Sequence, residues 1–161
     1  RIGYLCGSLE NGNNRDRLDG YLKAMEEAGV DVDDSWLIEH HPTDVTEQAG
    51  YDQAQFLLER NPEVTAIFAN NDSMAFGAVS ACIEKGLRVP DDMSVVGYDD
   101  YVSSRYYNPP LTTMRQPLLE MGASAARWVD EQLKDNISEL PHRIFRGELI
   151  VRKSCALPRA D

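Results

Sequence analysis

The order in which strand-like and helix-like segments alternate constrains this chain more than any other feature of its sequence. Apolar runs typical of buried strands occur at 2–6, 64–69 and 94–97, and a shorter one at 36–38. Between them, apolar residues recur every three or four positions, which is the helical period. A β-α-β-α-β-α-β order predicts an α/β fold, a doubly wound parallel sheet with flanking helices and right-handed crossovers.

The boundaries of the first three helices can be predicted from capping residues. Gly29 and Gly86 are placed to end the first and third helices, and Asn61-Pro62 ends the second. Thr46 is expected to cap the start of the second helix, and Asp72 that of the third. The expected buried positions are Leu18, Tyr21, Leu22, Met25 and Ala28 in the first helix, Ala49, Ala54, Leu57 and Leu58 in the second, and Ala75, Ala78, Val79, Cys82 and Ile83 in the third.

The alternation lapses after Asp100. A loop at 101–111 is expected to end in two prolines, followed by a short extended piece at 112–115. Pro117 then opens a fourth helix, and a final strand is expected at 148–152. The fourth helix carries a clear apolar stripe of Leu118, Gly122, Ala125, Val129 and Leu133.

Composition excludes several classes of protein. The chain has 161 residues, enough for one domain with a real core, and a net charge of −11. That charge disfavours direct contact with a nucleic acid, and no apolar run approaches the ~20 residues of a membrane helix. The three cysteines are far apart and lack metal-ligand spacing, which favours reduced thiols in the cytoplasm and no metal or cofactor. Because the chain begins at Arg1 and runs directly into a strand, we interpret it as part of a longer protein.

Polar side chains gather at the carboxyl ends of three predicted strands, where open parallel sheets bind their ligands. Arg15 and Arg17 follow the first strand. The runs Asn70-Asn71-Asp72 and Tyr98-Asp99-Asp100 follow the third and fourth strands. Carboxylates accept two hydroxyls, a guanidinium donates a fork and amides do both, so this edge suits a polyhydroxylated ligand.

Each of these residues also has a purely structural interpretation. Asp72 is expected to cap a helix, Arg15 to be solvated, and one of Asp99 and Asp100 to satisfy loop amides. No nucleophile elbow, P-loop or zinc-protease motif occurs, and adjacent histidines at 40 and 41 make a poor metal site. The sequence therefore predicts a binding protein and not an enzyme.

Several segments resemble the LacI/GalR family of bacterial transcription regulators. They are the runs at 66–77, 86–100 and 109–117, the closing 149–154, and the opening 15–21 after the Ile-Gly-Tyr strand. Their order and spacing agree over nearly the whole chain. The resemblance implies the C-terminal subdomain of a periplasmic-binding-protein-like effector domain, without the DNA-binding headpiece. It implies that 1–116 form this subdomain, that 117–140 form a crossover helix of the other subdomain, and that 141–161 return as an edge strand.

The resemblance also implies roles for individual residues. Arg17, Asn71 and Asp99 are expected to face the effector, with Gln116 and Val45 as further contacts. Ala75 and Phe76 are expected at a homodimer interface, because in this family the third helix lies at the dimer contact and Phe76 is expected on its outer face. The expected effector is a sugar or, alternatively, a purine, and operator DNA would be bound only through the headpiece. The alternative function is a transport receptor of the periplasmic sugar-binding type.

Overall fold

The computed structural model of the protein describes residues 1–39, 45–135 and 142–157. The strands and α-helices within these ranges are β1 (Ile2–Leu5), α1 (Gly12–Glu27), β2 (Leu37–Ile38), α2 (Glu47–Arg60), β3 (Ala66–Ala69), α3 (Asp72–Glu84), β4 (Ser94–Asp99), β5 (Thr112–Arg115), α4 (Leu118–Asp135) and β6 (Glu148–Ile150). Short 3₁₀ turns span Asp34–Trp36 and Val102–Arg105.

The strands form one sheet in the order β2-β1-β3-β4-β5-β6. The first five strands are parallel, with Tyr4 beside Phe68 and Val96 beside Thr112 in the register. Only β6, among the described strands, runs antiparallel to its neighbour. The α/β class and the doubly wound topology are confirmed, and the edge strand makes the sheet mixed.

Helices cover both faces of the sheet. The Tyr4 ring of β1 packs against Tyr21 of α1, with ring centroids 5.2 Å apart. The preceding Gly3 points the other way, and a Cβ there would lie 2.4 Å from Leu57 Cδ2 of α2. Because adjacent strand residues point to opposite faces, α1 and α2 lie on opposite sides of β1.

Two glycines allow α2 and α3 to pack unusually closely. A Cβ at Gly50 would lie 2.1 Å from the Met74 carbonyl oxygen, and one at Gly77 would lie 1.9 Å from that of Glu47. Neither distance leaves room for a side chain, so the backbones themselves are in contact. The apolar core therefore continues from the sheet through α3, where Val79 and Cys82 are fully buried.

Most of the predicted helix ends are confirmed. Gly29 and Gly86 adopt left-handed φ angles of 68° and 79°, and the Thr46 hydroxyl accepts a hydrogen bond from the Ala49 amide at 3.2 Å. The cap of α3 was predicted wrongly, because Asn71 and not Asp72 accepts from the Met74 amide, at 2.9 Å. Two positions expected in the apolar interior also differ, because Ala28 is exposed and Ile83 is 57% exposed. Trp36, expected at the start of a strand, is buried but lies in a 3₁₀ turn.

Helix α4 turns its apolar stripe outward. Leu118, Val129 and Leu133 are 63%, 49% and 82% exposed, whereas Ser124 on the opposite side is buried and accepts a hydrogen bond from Arg143. The stripe is therefore uncovered, although its pattern is that of a buried face. The assignment of 117–140 to a second subdomain stays a prediction. No helix in the described ranges is long and apolar enough to cross a membrane.

Candidate ligand-binding site

Arg17 occupies the centre of the predicted polar edge. It extends from the second turn of α1 across the ends of β3 and β4. Its Nη1 donates to the carbonyl oxygen of Asn70 at 2.7 Å, and its guanidinium carbon lies 4.0 Å from the centre of the Tyr98 ring. Its Nη2 lies 3.5 Å from Asp99 Oδ1. These three contacts hold the guanidinium plane in place and leave further N–H groups directed away from them.

Asp99 lies beside Arg17, at the end of β4. Its φ of 113° is in the left-handed region, which is unusual for a residue with a side chain. The side-chain amide of Gln116 donates to Asp99 Oδ1 at 2.6 Å. Arg17 and Asp99 are each only partly exposed, with 18% and 16% of their side chains accessible. The structure therefore brings together Arg17, Asp99 and Gln116, although 99 positions separate the first of them from the last in the sequence.

Asn71 and Val45 lie at the same edge, but the polar atoms of the Asn71 side chain bond backbone groups of the protein. Asn71 caps α3 through its side-chain oxygen and donates from its side-chain nitrogen to the Val45 carbonyl oxygen at 3.1 Å. Its side chain is thus used on both sides to hold the loop before α2 against α3. Val45 is half-buried, and its Cγ1 would lie 2.8 Å from a Cβ at Gly7.

Asn70 and Asn14 form a buried layer beneath these residues. The Asn70 side chain accepts from the Tyr4 hydroxyl at 3.3 Å and donates to Asn14 Oδ1 at 3.0 Å. Asn14 in turn donates to the Ser8 carbonyl oxygen at 2.8 Å. These bonds connect Asn70, directly after β3, to β1, to α1 and through α1 to the loop after β1, so this layer fixes the relative positions of the loops after β1 and β3. Sequence reasoning missed Asn14, because one amide in a helical pattern carries no signal of its own.

Asp100 and Asp72 are turned away from the open edge into separate buried networks. Asp100 accepts from Arg115 at 2.7 Å and also from Arg152. Burial raises the pKa of Asp100, but the hydrogen bonds and charges of the two arginines outweigh it, so that pKa lies below its ordinary value. Asp72 accepts from Thr113, Ser104 and the amide of Tyr101. Here burial has the larger effect, and the pKa of Asp72 is raised.

A cavity of about 750 Å³ opens beside Arg17. Its polar lining residues are Asn13, Asp16, Arg17 and Gln116, and its apolar lining comes from the sheet, including Phe68 and Val96, and from α1, including Met25. Arg15, also considered for the site, instead donates to the carbonyl oxygen of Leu9 at 2.8 Å on the exposed side of α1. Among the residues described, no cluster of acidic, histidine or cysteine side chains could hold a metal ion.

The predicted interface residues lie in the first two turns of α3 and are not on the surface. Ala75 is fully buried, and Phe76 is only 3% exposed. The Phe76 ring stacks on the Tyr107 ring with centroids 4.3 Å apart, so the loop after β4 covers it. The expectation that Phe76 lies on an exposed outer face is therefore wrong. On the same helix and in the loop that covers Phe76, Ile83, Val102 and Tyr106 are exposed at 57%, 73% and 78%.

The profile of the periplasmic binding protein-like domain matches residues 1–155. The chain therefore belongs to the family of periplasmic binding protein-like domains, in the form that LacI/GalR transcription regulators carry. It is 45% identical over 159 residues to the HTH-type transcriptional repressor PurR of Haemophilus influenzae (strain PittEE), covering 96% of this chain and 46% of that relative. The PurR repressor of Pasteurella multocida (strain Pm70) is 39% identical over 155 residues, which cover 95% of this chain and 45% of the relative.

Solved structures agree with these relatives. The transcriptional regulator CelR in complex with cellobiose superposes with a TM-score of 0.89 at 32% identity, covering 96% of this chain and 46% of that one. The lac repressor dimer bound to operator and the anti-inducer ONPF gives a TM-score of 0.84 at 32% identity, covering 96% and 52%. The chain thus spans about half the length of the curated relatives it matches.

Proposed function

We propose that this chain is the effector-binding and dimerisation part of a LacI-type transcription repressor. The observation that carries the proposal is the cluster of Arg17, Asp99 and Gln116, of which Arg17 and Gln116 also line the cavity. The matched relatives are transcription repressors, which favours a regulator over a transport receptor and over an enzyme. A regulator of transcription acts in the cytoplasm, where the three unpaired cysteines would stay reduced.

The chemistry of the cluster suits a small uncharged polar effector. Asp99 accepts hydrogen bonds from ligand hydroxyl or N–H groups, Arg17 donates a fixed fork, and Gln116 can do both. A sugar satisfies this pattern, and so does a purine, whose ring edge alternates donors and acceptors. Asn71 and Val45 are proposed to shape the rim, since the Asn71 side chain already caps α3 and holds Val45.

The proposed site can be tested by titration of the chain with cellobiose, ribose and guanine, followed by NMR. Binding should shift the side-chain resonances of Arg17 and Gln116, and Asp99→Ala or Arg17→Ala should weaken it by about 1.5–3 kcal/mol, the value of a charged hydrogen bond. Arg15→Ala is the matched control, because that side chain bonds only the exposed Leu9 carbonyl among the contacts described and should leave affinity unchanged. Undiminished binding by both site variants would place the effector elsewhere.

We further propose that homodimers form through the exposed apolar surface around Phe76. Tyr106, Val102 and Ile83 supply its accessible area, while Phe76 supports it from below by holding the Tyr107 ring. An exposed apolar surface of this kind is typical of a protein interface. Tyr106→Glu should shift the chain toward monomer in sedimentation velocity. Leu157 is 92% exposed and lies near the C-terminus, outside this surface, so Leu157→Glu should not have this effect. Equal masses for both variants would contradict this interface.

Contact with operator DNA is proposed to lie outside this chain. With 27 acidic and 16 basic residues, its surface would repel a phosphate backbone. The role of this part would instead be to bind effector differently in two arrangements of the complete regulator, which is what allosteric control of DNA binding requires.

A further inference from the structure

We infer that Gln116 is a positioning residue that couples occupancy of the proposed effector site to the start of helix α4. The inference rests on the proposed function for its biological meaning, but its geometry stands on contacts within the chain. Gln116 is the residue between the end of β5 and Pro117, immediately before α4 begins at Leu118. Its side chain and its backbone therefore belong to two different parts of the molecule.

The side chain of Gln116 is anchored on the site. Its amide nitrogen lies 2.6 Å from Asp99 Oδ1, which is shorter than the 3.5 Å between the same oxygen and Arg17 Nη2. The β4–β5 register pairs Asp99 with Arg115, so the contact reaches one residue beyond the last pair of the sheet. This is the last side-chain contact between the sheet and the chain before α4, among those described for these residues.

The backbone of Gln116 is anchored on α4. Its carbonyl oxygen accepts from the Leu118 amide at 2.9 Å, and the next carbonyl, that of Pro117, accepts from Met121 at 3.0 Å. The first bond closes a tight turn at Pro117, and the second closes the first turn of the helix. Met121 also lines the cavity together with Gln116 and Arg17, so the first turn faces the space into which an effector would enter.

A competition follows from this arrangement. An effector hydroxyl or N–H that donates to Asp99 Oδ1 must share an acceptor already held by Gln116 and Arg17, and a carboxylate oxygen has two lone pairs. The effector then either displaces one of these two donors from Oδ1, or bonds the other carboxylate oxygen, Oδ2, and leaves Gln116 in place. Arg17 lies farther from Oδ1, at 3.5 Å, but Asn70 and Tyr98 keep it at the site even when that contact is lost. Gln116 has one described side-chain contact, so it is the donor whose displacement frees a side chain from the site.

The coupling can be measured without any ligand, by amide hydrogen exchange of the intact chain. Gln116→Glu places a carboxylate against Asp99, and we expect exchange at Leu118 and Met121 to accelerate by at least about fivefold, the equivalent of losing one modest hydrogen bond. The double variant Asp99→Asn with Gln116→Glu exchanges donor and acceptor. The side-chain amide then lies at 99 and the carboxylate at 116, so a hydrogen bond between the two positions can form again. This double variant should restore the protection of both amides.

Gln48→Glu is the matched control, because Gln48 donates to Asp52 at 2.9 Å in an exposed pair of the same chemistry on α2. It should leave exchange at Leu118 and Met121 unchanged. Unaltered exchange in Gln116→Glu would overturn the inference, and so would a loss that the double variant fails to rescue, since the effect would then come from Gln116 alone. Because no effector is added, failure of the proposed function would show in the titrations above and not here.

Discussion

Replacing Asp72 with alanine should destabilise the fold more than any other single loss of a polar group at this edge. Asp72 is fully buried at the first turn of α3. Its Oδ1 lies 2.5 Å from the Thr113 hydroxyl, and its Oδ2 lies 2.5 Å from the Ser104 hydroxyl and 2.8 Å from the Tyr101 amide. One carboxylate thus holds β5 and the loop after β4 against α3.

The size of the effect follows from the groups that would be left behind. A hydrogen bond to a charged group contributes about 1.5–3 kcal/mol, and a buried donor left without a partner costs about 1–3 kcal/mol. The hydroxyls of Ser104 and Thr113 can rotate toward other acceptors, but the Tyr101 amide cannot, and the three effects do not add. We therefore expect Asp72→Ala to lower the free energy of unfolding by about 3–5 kcal/mol, and Thr113→Val, which removes one donor, by about 1 kcal/mol.

Urea denaturation followed by far-UV circular dichroism measures both values. Asp91→Ala is the control, because Asp91 is 57% exposed and pairs only with the exposed Arg88 among the described residues. It should change stability by no more than about 0.5 kcal/mol. A loss below about 1 kcal/mol for Asp72→Ala would refute the reasoning, since it would mean that the three donors find other partners at little cost.

The same residue predicts a pH dependence. Burial raises the pKa of Asp72 by more than its three hydrogen bonds lower it, and nearby Asp99 raises it further. A raised native pKa means that protonation favours the folded state, so this contribution is complete below the unfolded value of about 3.9 and is lost as pH rises through the native value. The stability of wild type relative to Asp72→Asn should therefore fall as pH rises above about 4. A pH-independent difference in urea midpoints would contradict this sign.

Three further expectations follow from other parts of the molecule. Gly77→Ala should lower the free energy of unfolding by more than about 3 kcal/mol because its Cβ would meet the Glu47 carbonyl, whereas Gly122→Ala, with open space around it in α4, should raise helix stability by about 0.5–1 kcal/mol. The exposed stripe of α4 should make the chain self-associate in size-exclusion chromatography with light scattering, and Leu133→Lys should reduce this; a clean wild-type monomer would contradict it. The chain should show no salt-sensitive retention of a DNA duplex in mobility-shift assays, and such retention would refute the assignment of DNA binding elsewhere.

The sheet and the gathering of polar side chains at one of its edges could be predicted because both depend on patterns that repeat along the chain. Strand and helix periods specify the alternation, and the rule that ligands bind beyond the carboxyl ends of parallel strands then selects Arg17 and Asp99. Their contact at 3.5 Å joins positions that are 82 residues apart. The selection needed only element order and not the details of packing.

The division of roles between Asn71 and Asp72 could not be predicted in the same way. Both residue types are good helix caps, and they are adjacent, so local propensity does not separate them. The separation comes from Thr113, 41 positions away, and Ser104, 32 positions away, whose hydroxyls meet Asp72 in the interior. Phe76 is a similar case, because a helical stripe cannot reveal that Tyr107, 31 positions later, covers it.

Helix α4 shows what an amphipathic pattern does and does not specify. Its stripe of Leu118, Val129 and Leu133 was recognisable from spacing alone, yet all three side chains are at least 49% exposed. Burial of each such side chain would contribute about 1.5–3 kcal/mol, and in this exposed position the stripe does not supply that stabilisation. Spacing indicates that a surface covers this face, but it carries no information on which surface, since any complementary apolar patch satisfies the same period. The inward side combines the hydrogen bond between Ser124 and Arg143 with the half-buried side chains of Met121 and Trp128. The helix is therefore positioned by its first turn at Gln116 and Pro117 together with this inward side, while the stripe itself stays exposed.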